Sequence, residues 1–412
     1  MLFGEEESFS LKPIIKVIGV GGAGKNAIDR MIDYDVHGVE FIAVNTDAQD
    51  LKVSKAETRV IIGRNLTRGL GAGANPEVGR AAALEDEDAL KEVVKDANMV
   101  FIACGMGGGT GTGAAPVIAR ICKELGILTV AIVTKPFFFE GARRMSLAVQ
   151  GLEEIRKYVD TLIVIPNERL FTISDASTSM LAAYREADDV LRQGVQGIAE
   201  IINFPGLVNV DFADVRTTMK DKGTALMGIG VAKGPNRAIE AARKAINSNL
   251  LEVSIDGASD AIVNIASSED VTLNEIGQVL SEIRNNCDKD LNIIYGNYIN
   301  NDLDDELVVT IIATGYELKA KENGIENLAS EIFSNTSMIN IEYKKQDDEE
   351  EFDDEEDGED SGELDHLFKN KRFVRQERKR LKQEAKAQKK AMKKTDDEQT
   401  NSGISLPDWL KK

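Results

Sequence analysis

Three glycine-rich turns and one pair of carboxylates carry the spacing for chemistry in this 412-residue chain. The first turn, GVGGAGKN (19–26), follows an apolar run and opens a helical pattern. Its G-x-G-x-x-G spacing fits a dinucleotide-binding turn, or simply a tight strand-to-helix connection. A dinucleotide site wants an acid at the end of the second strand, where Asn45, Thr46 and Asp47 stand. A P-loop wants a hydroxyl at Asn26 and, for guanine, an Asn-Lys-x-Asp element; the chain has neither, so that reading is rejected. The second turn, Gly105 to Gly113, holds six glycines in nine residues. Each costs about 1 kcal/mol relative to Ala in regular structure, so the run marks backbone that must approach something closely. Successive N–H groups at a helix start make an anion cradle, strengthened by the helix dipole. Two such turns in one sheet suit two parts of one polyphosphate. A third loop, GLGAGANP (69–76), ends with Pro76 at a helix start and offers its N–H groups to a terminal phosphate. The carboxylates are Asp211 and Asp214, spaced i and i+3. That spacing suits a pair that polarises water. It equally suits a helix N-cap with its capping-box partner, and the two roles are compatible.

These groups need a sheet to hold them. Apolar runs at Ile14–Val20, Val39–Asn45, Arg59–Ile62, Met99–Cys104, Leu128–Val133 and Thr161–Ile165 alternate with helical patterns at Lys25–Tyr34, Pro76–Lys95, Ala114–Leu125 and Arg144–Tyr158. Alternation of this kind predicts an α/β fold with a mostly parallel, Rossmann-like sheet covered on both faces. Ligands then sit at the carboxyl ends of the strands. Ser179–Asn203 predicts one long helix, with Leu181, Tyr184, Leu191, Val195, Ile198 and Ile202 at helical spacing. Beyond it lies a smaller α/β unit: strands at Leu226–Val231, Ala261–Ala266, Leu291–Ile299 and Leu307–Ala313, a helix at Asn236–Asn247, and another after Thr272, which has capping-box spacing with Glu275. The expected divisions are a disordered extension at 1–12, a nucleotide domain at 13–178, a central helix at 179–205, a second domain at 206–318, a charged flexible linker at 319–400 and a terminal peptide at 401–412.

Composition excludes other classes. A net charge of −20 argues against a general nucleic-acid binder. Cys104, Cys122 and Cys287 are widely spaced and odd in number, which implies a reducing cytoplasm. His37 and His366 are the only histidines, which leaves no His-based metal site or triad. No apolar run is long enough to span a membrane. Residues 347–365 hold fourteen Asp or Glu and no Lys or Arg; residues 369–394 hold thirteen Lys or Arg against two Glu. Neither block buries enough apolar surface to offset chain entropy, so both read as solvated. Trp409, the sole tryptophan, follows Pro407 near the end, where it reads as a binding anchor with Ile404, Leu406 and Leu410.

The run GGGTGTG (107–113) resembles the signature of the tubulin superfamily of GTPases. IKVIGVGGAGKNAI (15–28), FIAVNTDAQ (41–49), GLGAGANPEVG (69–79), TKPFFFEGARR (134–144) and NVDFADVRTTM (209–219) resemble its FtsZ family of bacterial cell division, over about residues 12–317. The resemblance implies GTP as substrate, with Mg²⁺ held mainly by the phosphates and no metal held by the protein. Gly21, Gly22, Ala23, Gly24, Lys25 and Asn26 would hold GTP at the first turn. Ala72 and Gly73 would hold it at the third loop, and Gly108, Gly109, Thr110, Gly111, Thr112 and Gly113 around the phosphates. Glu140 and Arg144 match ribose and phosphate contacts. Asn167 and Asp189 match the guanine contacts, with Tyr184 stacking on the base. Asp188 either faces away or bonds the amino group, and if both carboxylates are buried one pKa rises. Asp211 and Asp214, with Asn209, are implied to act on water in the site of the next subunit. The implied function is a cytoplasmic GTPase that polymerises head to tail into a ring at midcell. Membrane-anchor and regulator proteins would bind the peptide around Trp409. The competing readings are a nucleotide-dependent oxidoreductase and a non-hydrolysing scaffold; the first leaves GGGTGTG idle, and the paired carboxylates argue against the second.

Overall fold

The strands with the longest apolar runs lie at the middle of the first sheet. Residues 12–171, 179–203, 208, 210–248, 250–251, 255, 257–287 and 291–316 are described by a computed structural model. Asn209, residues 1–11 and everything from 317 on, including the charged linker and Trp409, lie outside them. The strands are β1 (Ile15–Val20), β2 (Glu40–Asn45), β3 (Thr58–Ile61), β4 (Met99–Gly105), β5 (Leu128–Lys135), β6 (Thr161–Pro166), β7 (Gly223–Lys233), β8 (Asp260–Ser267), β9 (Asn292–Ile299) and β10 (Glu306–Thr314). The helices are α1 (Gly21–Asp33), α2 (Ala48–Lys52), α3 (Arg64–Thr67), α4 (Pro76–Glu85), α5 (Glu87–Val94), α6 (Thr110–Glu124), α7 (Ala142–Ile155), α8 (Asn167–Phe171), α9 (Met180–Asn203), α10 (Phe212–Met219), α11 (Arg237–Ile246) and α12 (Leu273–Asn285).

Among the described residues the strands run in the order β3-β2-β1-β4-β5-β6-β7-β10-β8-β9. From β3 to β7 every neighbour is parallel, as the alternating pattern predicts. Strands β1, β5 and β6 are buried along their whole length, which explains their unbroken apolar runs. Strand β7 is longer than expected because it serves two sheets. Gly223–Ala225 pairs parallel with β6, and Leu226–Lys233 pairs antiparallel with β10. The second lobe is thus a mixed sheet grown from the first.

One apolar cluster lies under α1 and α9 and runs from Val17 through Leu191 and Val195 to Met227, Ile262 and Ile312. A second fills the opposite face under α4 to α7, and a third packs α11 and α12 on the second sheet. Helix α9 therefore belongs to the cores of both lobes. Its buried stripe begins at Ala183 and Ala187, whereas Leu181, expected inside, is exposed. Two other boundaries differ from expectation. The single helix Pro76–Lys95 is two, because Asp86 turns its carboxylate to the Gly63 N–H at 2.7 Å. Helices α1 and α6 begin at Gly21 and Thr110, inside the glycine runs rather than after them. The capping box at α12 is present: the Glu275 N–H donates to Thr272 Oγ1 at 3.2 Å, and the Thr272 N–H to Glu275 Oε2 at 2.8 Å.

Candidate functional site

Both early helix starts leave first-turn N–H groups open at the carboxyl edge of the parallel sheet. Neither α1 nor α6 has a side-chain cap or an acid in its first turn. Gly21 has φ +71°, a left-handed turn that other residues strain to adopt, and a Cβ built there would lie 3.0 Å from Gly111 N. The two helix starts therefore face each other. The third loop closes on the second: a Cβ on Gly109 would stand 2.8 Å from Ala72 Cβ and 3.0 Å from Asn75 N. Asn75 Oδ1 accepts from Glu77 N–H at 3.1 Å and so starts α4.

Exposure separates the residues that line this cleft from those that build it. Gly22, Ala23, Asn26 and Gly73 are exposed, and Gly108 is half-buried. Gly24, Ala72, Gly109, Thr110, Gly111, Thr112 and Gly113 are buried. The Thr110 and Thr46 hydroxyls bond at 2.7 Å, and Thr112 Oγ1 accepts from Gly107 N–H at 2.8 Å. Gly113 differs from expectation: its N–H donates to Gly109 O at 3.0 Å, so it is spent inside the helix. A Cβ there would lie 2.0 Å from Pro76 O, so Gly113 serves the contact between α6 and α4. Lys25 is buried between Asp29 and Asp50, at 3.3 and 3.2 Å. At the end of β2, where a dinucleotide site wants an acid, Asn45 Nδ2 donates to Asp50 Oδ2 at 2.7 Å.

Arg144 and Glu140 form an ion pair at 2.5 Å, and Glu140 also accepts from Phe137 N–H at 3.0 Å. Arg144 flanks the second turn, since a Cβ on Gly107 would meet Arg144 O at 2.6 Å. Tyr184 packs edge-on against Phe137, with ring centroids 5.2 Å apart. Burial and the Glu140 charge push its phenol pKa up. Asn167 opens α8 directly after β6; it is buried, and its Oδ1 has no hydrogen-bond partner among the described residues.

The two neighbouring aspartates divide. Arg192 Nε donates to Asp189 Oδ1 at 2.8 Å and its Nη2 to Oδ2 at 3.2 Å. Gln193 adds a bond to Oδ2 at 2.5 Å, and Arg30 Nε stands 3.6 Å from Oδ1. Burial pushes the Asp189 pKa up, but these Arg192 and Gln193 bonds outweigh it and hold the group below the ordinary range. Asp188 has no hydrogen bond or ion pair among the described residues. Burial raises its pKa to about 7, against the pull of Arg30 and Lys25 and with a small push from Asp189. One carboxyl of the pair does rise, as expected, though chiefly through burial. Sequence reasoning missed Arg30 and Arg192; the i+3 spacing from Asp189 to Arg192 was the available signal.

The other carboxylates lie at the far edge. Asn203, the last residue of α9, donates from Nδ2 to Gly38 O at 3.0 Å, just before β2 begins. Met219, the last of α10, accepts at 2.5 Å from Thr161 Oγ1, the first residue of β6. The segment between carries Asp211 and Asp214, both exposed. Asp211 is the N-cap of α10, accepting from Ala213 N–H at 3.3 Å. The capping partner expected in Asp214 is not used this way: its backbone N–H bonds Asp211 O at 3.0 Å, and its carbonyl accepts from Thr218 Oγ1 at 3.0 Å. The thiols of Cys104 and Cys122 are pushed up to about 12 by burial and are unreactive. Among the described residues, no helix is long and apolar enough to cross a membrane.

Residues 14–175 match the model of the Tubulin/FtsZ family GTPase domain, and residues 223–317 that of the FtsZ family C-terminal domain. The structure is similar to an empty FtsZ dimer of M. jannaschii, with 45% identity, 75% of this chain and 90% of that chain covered, and a TM-score of 0.73. It shares its fold with CetZ2 from Haloferax volcanii, solved as a GTPγS-bound protofilament, at 21% identity, 78% and 99% coverage and a TM-score of 0.65.

Proposed function

Because the chain belongs to the Tubulin/FtsZ family and carries that family's GTPase domain, we propose that it is the polymerising GTPase of a bacterial division ring, completing its active site between subunits. The observation that carries this reading is the separation of parts: an open anion cradle at one edge of the sheet and Asp211 and Asp214 at the other. Within one chain these carboxylates stand away from the cradle. Stacking a second copy head to tail joins the two edges. Such a contact is heterologous, and where its rotation does not close it generates a filament.

GTP enters with its phosphates across the starts of α1 and α6, where N–H dipoles offset their charge. The uncapped, acid-free helix starts fit a polyanion with Mg²⁺. Among the described residues no group of three or more His, Cys, Asp or Glu is placed to hold the ion. Mg²⁺ would be held mainly by phosphate oxygens and water and would offset charge on the phosphates. Glu140 and Arg144 meet ribose and phosphate, and Tyr184 packs on the base. For the guanine edge we assign Asp188 and Asn167 and withdraw Asp189. A carboxylate accepts from guanine N1–H and N2–H₂, and Asp188 has its lone pairs free, whereas Asp189 has spent its own on Arg192 and Gln193. Asp211 and Asp214 of the next copy, with Asn209, orient and polarise the water that attacks the γ-phosphorus. Such a reaction needs positioning and charge stabilisation rather than a covalent intermediate. Hydrolysis then weakens the subunit contact, so the filament times its own release.

Sedimentation tests the reading. The chain pellets with GTP and stays in solution with GDP; equal behaviour with both nucleotides sinks it. The peptide around Trp409 is assigned to membrane-anchor and regulator proteins, on the ground that a sole Trp beyond a long charged segment suits an anchor. Trp409→Ala then keeps GTP-dependent pelleting and loses membrane recruitment in cells. A variant that still forms a normal membrane-bound ring would place the anchor elsewhere.

A further inference from the structure

Two adjacent carboxylates at a base pocket are a problem for recognition. If both are free they repel, and the base meets an undefined charge. In this chain the conflict is resolved by a side chain one turn further along α9. Arg192 grips Asp189 through Nε and Nη2, at 2.8 and 3.2 Å. The same guanidinium bonds Gln196 through Nη1 and lies over the Tyr34 ring, 4.6 Å from its centroid. Its position is therefore fixed from three sides, and its side chain is only 13% exposed.

We propose that Arg192 is a positioning residue for base recognition: it pins and neutralises Asp189, so that Asp188 alone presents a carboxylate to the guanine edge. This rests on the base-reading role assigned above to Asp188. The charged groups facing Asp188 are Lys25 and Arg30 of α1 and Asp189 of its own helix. Those facing Asp189 are Arg192 and, more distantly, Arg30. Lys25 is already shared between Asp29 and Asp50, and Arg30 leans on Tyr34, with 5.6 Å to the ring centroid. Arg30 gives Asp189 one longer contact and does not reproduce the two-point grip of Arg192. Without Arg192, Asp189 keeps only the Gln193 bond and Arg30 Nε at 3.6 Å, a weaker offset that Arg30 shares with Asp188. Ionising Asp188 then costs more, and so does the binding of any base that needs it ionised.

The test follows GDP affinity of the full chain against pH, since GDP avoids hydrolysis and assembly. In the parent protein affinity rises to a plateau as Asp188 loses its proton. Arg192→Gln moves the midpoint of that rise upward by about one pH unit. Arg192→Lys restores part of the shift. Asp189→Asn in the Arg192→Gln background restores most of it, because the poorly offset charge is gone. A purely structural role for Arg192 would weaken binding equally at all pH values and would not be rescued by Asp189→Asn; that outcome overturns the proposal. Asp188→Asn separates the two layers. If it flattens the profile while Arg192→Gln leaves the midpoint unmoved, base reading by Asp188 stands and the positioning role fails. If Asp188→Asn changes neither affinity nor profile, the base-reading assignment fails first.

Discussion

With Asp188 as the proposed reader of the base, recognition becomes a protonation event. Its ordinary pKa of 3.8 is raised to about 7, first by burial. A protonated carboxyl has one oxygen committed to O–H and meets guanine's two donors poorly. GDP affinity should therefore climb with pH and level off a little above 7, with up to one proton released per nucleotide on the rising limb and none on the plateau; isothermal titration in two buffers of different ionisation enthalpy measures that proton directly. Stability without nucleotide runs the other way. The folded chain holds this proton more tightly than the unfolded chain, so between pH 3.8 and about 7 the Asp188 contribution falls as pH rises and is constant above. Asp188→Asn should melt higher than the parent at neutral pH and bind GDP worse. A lower melting point for that variant would mean that Asp188 has a partner when ionised. Two adjacent aspartates as candidates for a base contact were legible in the sequence, but which of them is free was not. Neighbours on a helix point about 100° apart, and the choice depends on Arg192 and Arg30, whose approach is tertiary.

Among the elements, glycines did two different jobs that the sequence presents as one. Gly22 is exposed at the start of α1 and Gly21 takes the left-handed turn that lets α1 approach Gly111, whereas Gly113 lets α6 lie against α4. The sequence showed that the run sits at a close approach; it did not show which glycines face ligand and which face helix. Gly113→Ala forces Cβ onto Pro76 O, where 2.0 Å is available, so α4 must move. Overpacking of this kind costs about 1–3 kcal/mol. The third loop, tied to the same helix start, should then loosen its hold on the terminal phosphate. The expected result is a lower melting point and a larger loss of affinity for GTP than for GDP. Thr272→Ala is the contrast: it removes the α12 capping box, costs about 1 kcal/mol and leaves nucleotide affinity unchanged. The double use of β7 was also invisible in the sequence, because Gly223–Ala225 and Leu226–Lys233 form one apolar segment whose partners are fixed only by the sheet.

At the scale of the whole molecule, the parallel sheet acts as a spacer with unlike ends. Alternating strand and helix patterns made the sheet legible, and the length of α9, about 36 Å at 1.5 Å per residue, showed that the Asp211 segment starts far from the glycine turns. Nothing in one sequence shows two copies meeting, because the proposed contact would use surfaces that each copy leaves open. If Asp211 serves the neighbour, two defective chains should repair each other. Asp211→Ala keeps an intact nucleotide site but offers no carboxylate to the next copy. Asp188→Asn keeps Asp211 and holds nucleotide poorly. Each alone should hydrolyse GTP slowly. Mixed in equal amounts and assembled at random, about a quarter of the junctions would pair a competent site with a competent carboxylate. Turnover of the mixture should then exceed the mean of the separate proteins and rise with total concentration, as junctions form. Turnover that merely averages the two, at every concentration, would mean that each chain carries its own catalytic carboxylate, and Asp211 would be left as the N-cap of α10 and nothing more.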